Sequence, residues 1–401
     1  MNDILVNRFI KYVKIDTQSD EHGEGTPSTK KQFDLANVIL AELKELGLEA
    51  ILTDKCIVYG YLKANEEGHD PIGFISHLDT SPEASGKNVN PQFTYNYDGG
   101  IIKLNENIFL DPKVFPSLNR CIGKTIIHTD GTTLLGADDK AGDAEIMTMI
   151  ETIVKNNIPH GDIYVAFTPD EEIGGGIATF DLNTFKAKYA FTVDGGSPEI
   201  INYENFNAAS AVVHIQGVEV HPGDAKDKMI NAIQVGRKFL DMLPENMRPE
   251  YTSGYDGFNH CLEFNGTTSE ATLVFILRNH DLEKLQKQKE DFKSIQTALN
   301  NLYGRDVVSV DIKDSYFNMK ELIKEDMTSV NVLNKAIKEC NLDPIVEPIR
   351  GGTDGAKLTQ MGLKTPNIGT GGYNYHGKYE YACVEEMEKM LEILLKIVEI
   401  C

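Results

Sequence analysis

Residues 71–80 read PIGFISHLDT, an apolar run that ends in histidine and aspartate. Similar β-rich runs occupy residues 57–62, 163–168 and 189–193, and a helical run at residues 140–155 precedes the last two. Strands that alternate with helices are typical of an α/β sheet with substantial parallel pairing. The sequence therefore predicts a mixed, mostly parallel sheet flanked by helices.

Helical spacing also marks both ends of the chain. Apolar residues recur at this spacing in residues 4–13 and 30–46, and Gly47 then offers a helix stop. Residues 384–400 carry apolar side chains on one face and Glu or Lys on the other. We expect this last segment to form a helix that packs on the sheet.

The middle of the chain has a different order of elements. Strands are predicted at residues 208–217, 259–265, 270–278 and 306–313, and helices at residues 229–243 and 281–301. This β-α-β-β-α-β order is that of the ferredoxin-like arrangement. We therefore predict an inserted α+β domain at residues 207–317, between the two parts of a discontinuous domain at residues 1–206 and 318–401.

Composition narrows the class of protein. The 401 residues are 41% apolar and 25% charged, and the net charge of −22 opposes binding to nucleic acid or to an anionic membrane. Neither a signal-peptide core nor an apolar run of about 18 residues is found. The six cysteines are scattered without a C-x-x-C pair, which favours a reducing compartment and no cysteine zinc site. We expect a cytoplasmic protein.

Metal-capable side chains follow the strand-like runs, where the carboxyl ends of parallel strands would bring them together. His77 and Asp79 share a face in an extended chain, so His77 could bind a metal while Asp79 orients its ring, although an isolated H-x-D is more often a solvated strand end. Asp138 and Asp139 stand at a helix start, where acids are most often caps. One carboxylate of this pair could instead bridge two cations.

Three further places fit the same pattern. Glu171 and Glu172 follow a strand, and one could bind metal while the other acts as a general base, or the pair could form an exposed acidic turn. Asp194 ends another strand, and His376 lies in a glycine- and tyrosine-rich loop. Nitrogen and oxygen ligands without thiolate suit Zn²⁺, Mn²⁺ or Co²⁺. Together the residues predict a hydrolase with two metal ions.

The motifs also resemble a known family, the metallopeptidases of the M20 clan, and in particular its tripeptide aminopeptidases. The resemblance covers nearly the whole chain and rests on these segments in this order: SHLDT (76–80), LLGADDKAGDAEIM (134–147), TPDEEIGGG (168–176), TVDGG (192–196), GVEVHPG (217–223) and YHGKYE (375–380). It implies a zinc-dependent aminopeptidase that releases the N-terminal residue of tripeptides. A dipeptidase or an N-acyl amino-acid deacylase of the same clan is the alternative.

The resemblance assigns roles to the metal-capable residues. Two zinc ions, with Co or Mn as substitutes, would be bound by His77, Asp138, Glu172, Asp194 and His376. Asp138 would bridge the two ions, Asp79 would orient His77, and Glu171 would be the general base. The peptide bond between Asp138 and Asp139 is cis in relatives.

The resemblance also identifies the inserted domain as a lid that often forms a homodimer contact. His221 would stabilise the oxyanion of the reacting carbonyl, unless it is only a turn residue before Pro222. Arg278 and Arg350 are candidates for binding the C-terminal carboxylate of the substrate, although either could form a surface ion pair.

Overall fold

The computed structural model describes residues 3–401, which form two compact units. The first unit runs up to Tyr203 and continues with Glu321–Glu347 and Thr353–Cys401. The second unit comprises Glu204–Lys320 and Pro348–Gly352.

The return of residues 348–352 to the second unit differs from the sequence-based boundaries. Asn205 and Ile349 form a parallel bridge, and the Ile349 N–H donates to the carbonyl of Glu204. A bridge of one residue pair leaves no hydrophobic pattern, so the sequence gives no sign of it.

The described residues contain the following helices and strands, each type numbered in chain order. The α-helices are α1 (Asp3–Val13), α2 (Gln32–Glu45), α3 (Ala137–Asn156), α4 (Ala232–Met242), α5 (Leu282–Tyr303), α6 (Lys320–Ile323), α7 (Thr328–Glu339), α8 (Asp354–Gln360) and α9 (Val384–Ile400). The strands of the first unit before residue 204 are β1 (Glu49–Leu52), β2 (Val58–Leu62), β3 (Ile72–His77), β4 (Gln92–Thr94), β5 (Ile102–Lys103), β6 (Phe109–Leu110), β7 (Ile126–His128), β8 (Ile163–Thr168), β9 (Tyr189–Val193) and β10 (Ile200–Asn202). The remaining strands are β11 (Asn207–Gln216), β12 (Phe258–Gly266), β13 (Glu270–Asn279), β14 (Val308–Tyr316), β15 (Ile345–Val346), β16 (Asn367–Ile368), β17 (Gly372–Tyr373) and β18 (Tyr381–Cys383).

The first unit is built on an eight-stranded sheet in the order β1-β2-β8-β3-β9-β16-β10-β15. The pairs β8–β3, β3–β9, β9–β16 and β10–β15 are parallel, while the other neighbouring pairs are antiparallel. The expectation of a mixed, mostly parallel sheet flanked by helices is confirmed.

Helix α3 forms the centre of one layer of this unit. Fifteen of its 20 residues are buried, because it packs on β3 and is covered by α1 and α9. The expected helix packed on the sheet at residues 384–400 is found as α9, although it contacts α3 more than the strands. Helix α2 ends at Glu45, and Gly47 follows it with φ +88°, a conformation that glycine adopts without strain.

A smaller part of the first unit carries no predicted elements. Its four-stranded sheet has the order β17-β18-β7-β4 and a core that includes Tyr97, Leu118, Cys121 and Tyr381. Its strands are two or three residues long, too short to show an alternating pattern. All six cysteines of the chain are free.

The second unit has the predicted β-α-β-β-α-β order. Its antiparallel sheet, in the order β12-β13-β11-β14, is joined by helices α4 and α5. Its core contains the three rings of Phe239, Phe275 and Phe292, which meet edge-on or tilted at centroid distances of 5.0 to 6.2 Å. Among residues 3–401, no helix combines the length and the apolar character needed to cross a membrane.

Candidate metal centre

The centre lies at one edge of the large sheet, where the parallel strands β8, β3 and β9 end side by side. His77 is the last residue of β3 and is buried. Its Nε2 lies 2.8 Å from Oδ1 of Asp138, and its Nδ1 lies 3.0 Å from the carbonyl oxygen of Asp79 and 3.4 Å from that residue's Oδ1. The Asp79 contact fixes the ring so that Nε2 faces the cluster of acids.

Asp138 and Asp139 occupy the start of α3 but do not have helical torsion angles. The peptide bond between them is cis, as the resemblance implied. The two carboxylates point to different partners. Asp138 contacts His77 and, at 3.4 Å, Nε2 of His376, whereas Asp139 accepts hydrogen bonds from the N–H groups of His77 and Gly142. Asp139 therefore fixes the backbone, and Asp138 is left to face the site.

Glu171 and Glu172 follow β8, and their backbones are held by one side chain. The two oxygens of Asp79 accept hydrogen bonds from the N–H groups of Glu171 at 2.9 Å and Glu172 at 3.3 Å. Oε2 of Glu172 lies 2.8 Å from Nε2 of His376. Asp79 thus fixes both the His77 ring and the turn that carries the two glutamates.

Asp194 and His376 complete the cluster. Asp194 follows β9, and its N–H donates to the carbonyl of Ile368 at the end of β16. His376 lies in the loop before β18 with φ +64°, and its side chain is 38% exposed. The Tyr375 hydroxyl donates to the carbonyl of Gly195 at 2.6 Å, which ties the His376 loop to the turn after Asp194.

The electrostatics of the cluster are those of crowded acids. Burial, reinforced by nearby carboxylates, raises the pKa of Asp194 to about 7 and that of Glu172 to about 7. Burial together with Asp354 raises the pKa of Glu171 well above its usual range. Burial also opposes ionisation of Asp138, but hydrogen bonds from His376 and His77 outweigh it and hold the pKa of Asp138 low. Cations or protons must therefore neutralise much of this charge.

The donor atoms fit metal ions. Ligand atoms of His77, Asp138 and Asp194 lie within 4.8 Å of one another, and so do those of Asp138, Glu172 and His376. Asp138 belongs to both groups, as a carboxylate that bridges two ions must. In addition, Oε1 of Glu172 is buried without a hydrogen-bond partner, so it is free to bind a cation. The five residues predicted as metal ligands are therefore brought together, and their role stays a prediction.

The other predicted site residues lie in the second unit. His221 is exposed and its Nδ1 accepts a hydrogen bond from the Gly223 N–H, which leaves Nε2 free of that turn. Arg278 lies near the end of β13, and its Nη1 donates to the carbonyls of Ala209 and Leu277. Their roles at a substrate stay predictions.

Arg350 is already engaged within the second unit. Its guanidinium donates to the carbonyls of Gly254 and Asp256 and to the hydroxyl of Thr252, and it lies over the ring of Phe206. These contacts hold the loop at residues 252–256. Binding of a substrate carboxylate by Arg350 is likewise untested.

Three acids with contacts to the site were not predicted. Glu83 lies 3.1 Å from Nδ1 of His376, Asp354 accepts a hydrogen bond from Thr168 at the end of β8, and Glu380 accepts three hydrogen bonds from the loop that carries Asp138. Only Glu380 falls in a motif that the sequence analysis singles out, four residues after His376.

Comparison with known proteins identifies the family. Peptidase T of Clostridium acetobutylicum is 51% identical over 401 residues, which cover 99% of this chain and 98% of that protein. The chain belongs to the peptidase T family. Residues 203–307 also match the peptidase dimerisation domain of M20 peptidases. The family predicted from the motifs is therefore confirmed, and with it the prediction of an aminopeptidase.

Solved structures agree with this placement in the peptidase T family. An aminopeptidase from Bacillus cereus is 25% identical with a TM-score of 0.80, covering 99% of this chain and 98% of its own. A peptidase of the M20 family from Bacillus subtilis, described as a dinuclear metal-binding peptidase, is 15% identical with a TM-score of 0.65. The match covers 99% of this chain and 97% of that one. The second likeness shows a shared fold.

Proposed function

We propose that the protein is a zinc-dependent aminopeptidase that releases the N-terminal residue of tripeptides. One observation carries the proposal: two groups of metal-capable atoms share the carboxylate of Asp138 at the edge of the sheet, in a member of the peptidase T family. A carboxylate shared by two groups of donor atoms would be suited to holding a pair of metal ions, which together supply hydrolytic chemistry.

The proposed metal ligands are His77 and Asp194 for one ion and Glu172 and His376 for the other, with Asp138 on both. Imidazole and carboxylate donors suit zinc, and Co or Mn would be substitutes. The dinuclear site described for the Bacillus subtilis relative supports a pair of ions. When bound, the ions would activate water and polarise the peptide carbonyl.

We propose Glu171 as the general base. It belongs to neither group of metal-capable atoms, and the Asp79 carboxylate holds its backbone beside Glu172. Glu171 would accept a proton from the attacking water and donate a proton to the leaving amine. Asp79 would orient His77 and keep the base in place.

Roles at the substrate are also proposed for His221, Arg278 and Arg350. His221 would stabilise the oxyanion with Nε2, since its Nδ1 accepts from the local turn. Arg278 and Arg350 would bind the C-terminal carboxylate. Arg278 is the better candidate because the hydrogen bonds described for it use Nη1 alone, whereas Arg350 has both Nη atoms engaged.

Two features of the setting are also proposed. The match to a peptidase dimerisation domain at residues 203–307 supports a homodimer formed through the second unit. The six free cysteines and the net charge of −22 support a cytoplasmic protein whose partner is a peptide rather than nucleic acid or a membrane.

The test is hydrolysis of matched peptides by the zinc-loaded protein, followed by mass spectrometry. The substrates are one tripeptide, its N-acetylated form, its C-terminal amide and the matching dipeptide. We expect release of the first residue from the free tripeptide, little from the amide and none from the acetylated form. Cleavage of the dipeptide or of the acetylated peptide as the preferred substrate would refute the tripeptide assignment and indicate a dipeptidase or a deacylase.

A further inference from the structure

The buried carboxylate of Glu380 lies outside both groups of metal-capable atoms, yet it contacts the segment that leads to Asp138. Glu380 is 1% exposed and directly precedes β18. Its Oε2 accepts hydrogen bonds from the N–H groups of Leu135 and Gly136, both at 2.7 Å. Its Oε1 accepts a third, at 3.0 Å, from the N–H of Asp138.

The backbone at the start of α3 therefore binds the carboxylate of Glu380 through three N–H groups. Gly136 has φ +80°, which turns its N–H and that of Leu135 toward the same oxygen. The three N–H groups belong to the first residues of the helix and its approach, so no intrahelical carbonyl is available to them. The side chain of Glu380 therefore fills the place that a cap within the helix sequence would otherwise take.

Glu380 also belongs to the loop that carries His376. Glu380 lies four residues after His376, and the backbone between them is tightly turned. The Asn374 side chain donates to the carbonyl of Tyr379, and the N–H of Glu380 donates to the carbonyl of Gly377. The position of Asp138 is thus tied to the loop of His376 by one carboxylate.

We propose that Glu380 is a positioning residue for the metal centre, which sets the distance between the shared carboxylate of Asp138 and the imidazole of His376. The inference rests on the proposed function, because it takes Asp138 and His376 as ligands. It assigns to Glu380 an effect on metal affinity that arises without contact between Glu380 and an ion.

The substitution that tests this is Glu380→Gln. The amide keeps the size of the side chain but offers one acceptor oxygen, so it must present an NH₂ group to at least one of the three N–H donors. We expect the affinity of the metal-free protein for zinc to fall by about 10–100-fold, as for other residues that hold ligands in place. Glu380→Asp keeps both acceptor oxygens on a shorter side chain and should recover part of the affinity.

Glu385→Gln is the matched control. Glu385 lies five residues further along the chain and also accepts a backbone hydrogen bond, from the Thr125 N–H at 2.8 Å, but Thr125 is not part of a segment that carries a metal-capable residue. We expect Glu385→Gln to bind zinc with wild-type affinity. Zinc affinity and stoichiometry are measured by competition with a chromogenic chelator, and urea unfolding of the metal-free variants shows whether each is folded.

The outcomes separate the inference from the proposed function. A folded Glu380→Gln that binds two zinc ions as tightly as the wild type would overturn the inference alone. Equal losses of zinc affinity in Glu380→Gln and Glu385→Gln would also overturn it, because a general loss of structure would then explain both. A wild-type protein that binds no zinc pair would instead refute the proposed function.

Discussion

Glu171→Gln should reduce turnover, whereas Glu172→Gln, the same change in the adjacent residue after β8, should reduce zinc binding. The substitution preserves size, and in both positions the backbone N–H still donates to the carboxylate of Asp79. Glu172 is a member of a group of metal-capable atoms and lies 2.8 Å from Nε2 of His376, whereas Glu171 belongs to neither group. Glu171→Gln should therefore abolish proton transfer and leave metal binding intact.

The size of each effect follows from these contacts. Loss of a general base costs about 10²–10⁴-fold in kcat, or about 3–5 kcal/mol of transition-state stabilisation. Glu172→Gln removes a charged donor from the cluster, so its zinc affinity should fall by more than the ~10–100-fold that outer partners of ligands cost.

The assay combines zinc stoichiometry with steady-state hydrolysis of a tripeptide at saturating zinc. We expect Glu171→Gln to hold two ions with low kcat, and Glu172→Gln to hold fewer at the same free zinc concentration. Near-normal turnover by Glu171→Gln would remove Glu171 from the role of base. Loss of zinc by Glu171→Gln with retention by Glu172→Gln would reverse the two assignments and refute the reasoning.

Three further substitutions test other contacts. Glu145 is buried with no hydrogen-bond partner for either oxygen, and burial raises its pKa well above 4.5, so the unfolded chain releases this proton at a lower pH than the folded chain does. The stability of the wild type should therefore fall relative to that of Glu145→Gln as the pH rises above about 4.5, by up to about 1.4 kcal/mol per pH unit. Equal stability differences in urea unfolding at about pH 5 and about pH 8 would contradict this. Glu83→Gln removes the carboxylate beside Nδ1 of His376 and should weaken zinc binding by about tenfold in a chelator titration, and an unchanged affinity would show that this partly exposed pair does not orient the imidazole. Phe292→Ala opens the core of the second unit beside Phe275 and should destabilise it by about 3–5 kcal/mol in thermal unfolding, whereas a loss below about 1 kcal/mol would show that the core closes around the missing ring.

The large elements could be predicted because their side-chain patterns are local. The runs at residues 72–76, 163–168 and 189–193 are apolar on both faces, as strands inside a parallel sheet must be, and the structure has β3, β8 and β9 there. The order of elements in the second unit could be predicted for the same reason, since its helices and strands are long. In contrast, β15 and β16 contain two residues each, and their places in the sheet depend on partners far along the chain.

The positions of four of the five metal-capable residues could also be predicted, because each ends or follows a strand or starts a helix, whereas His376 lies in a loop. The residues that hold them could not be predicted. Glu380 and Glu83 act through contacts with segments 242 to 293 residues away, and an acid that accepts such hydrogen bonds looks like any other acid in a chain with 61 of them. The place of a metal-capable residue at a strand end follows from the local sequence. The hydrogen bonds that hold its side chain in one orientation come from residues far along the chain.

The different surroundings of the paired glutamates come from one aspartate. Both oxygens of Asp79 accept hydrogen bonds from consecutive N–H groups, so the backbone at Glu171 and Glu172 is fixed while the two side chains have different neighbours. One reaches the imidazole of His376, and the other has Asp354 as the nearby acid that most raises its pKa. Oδ1 of Asp79 also lies 3.4 Å from Nδ1 of His77, so one carboxylate contacts the proposed ligand His77 and the backbone of both glutamates. Asp79→Asn should for this reason disturb metal affinity and kcat together, whereas Glu171→Gln should change kcat alone. A fall in kcat for Asp79→Asn with unchanged zinc affinity would mean that the aspartate serves the base and not the ligands.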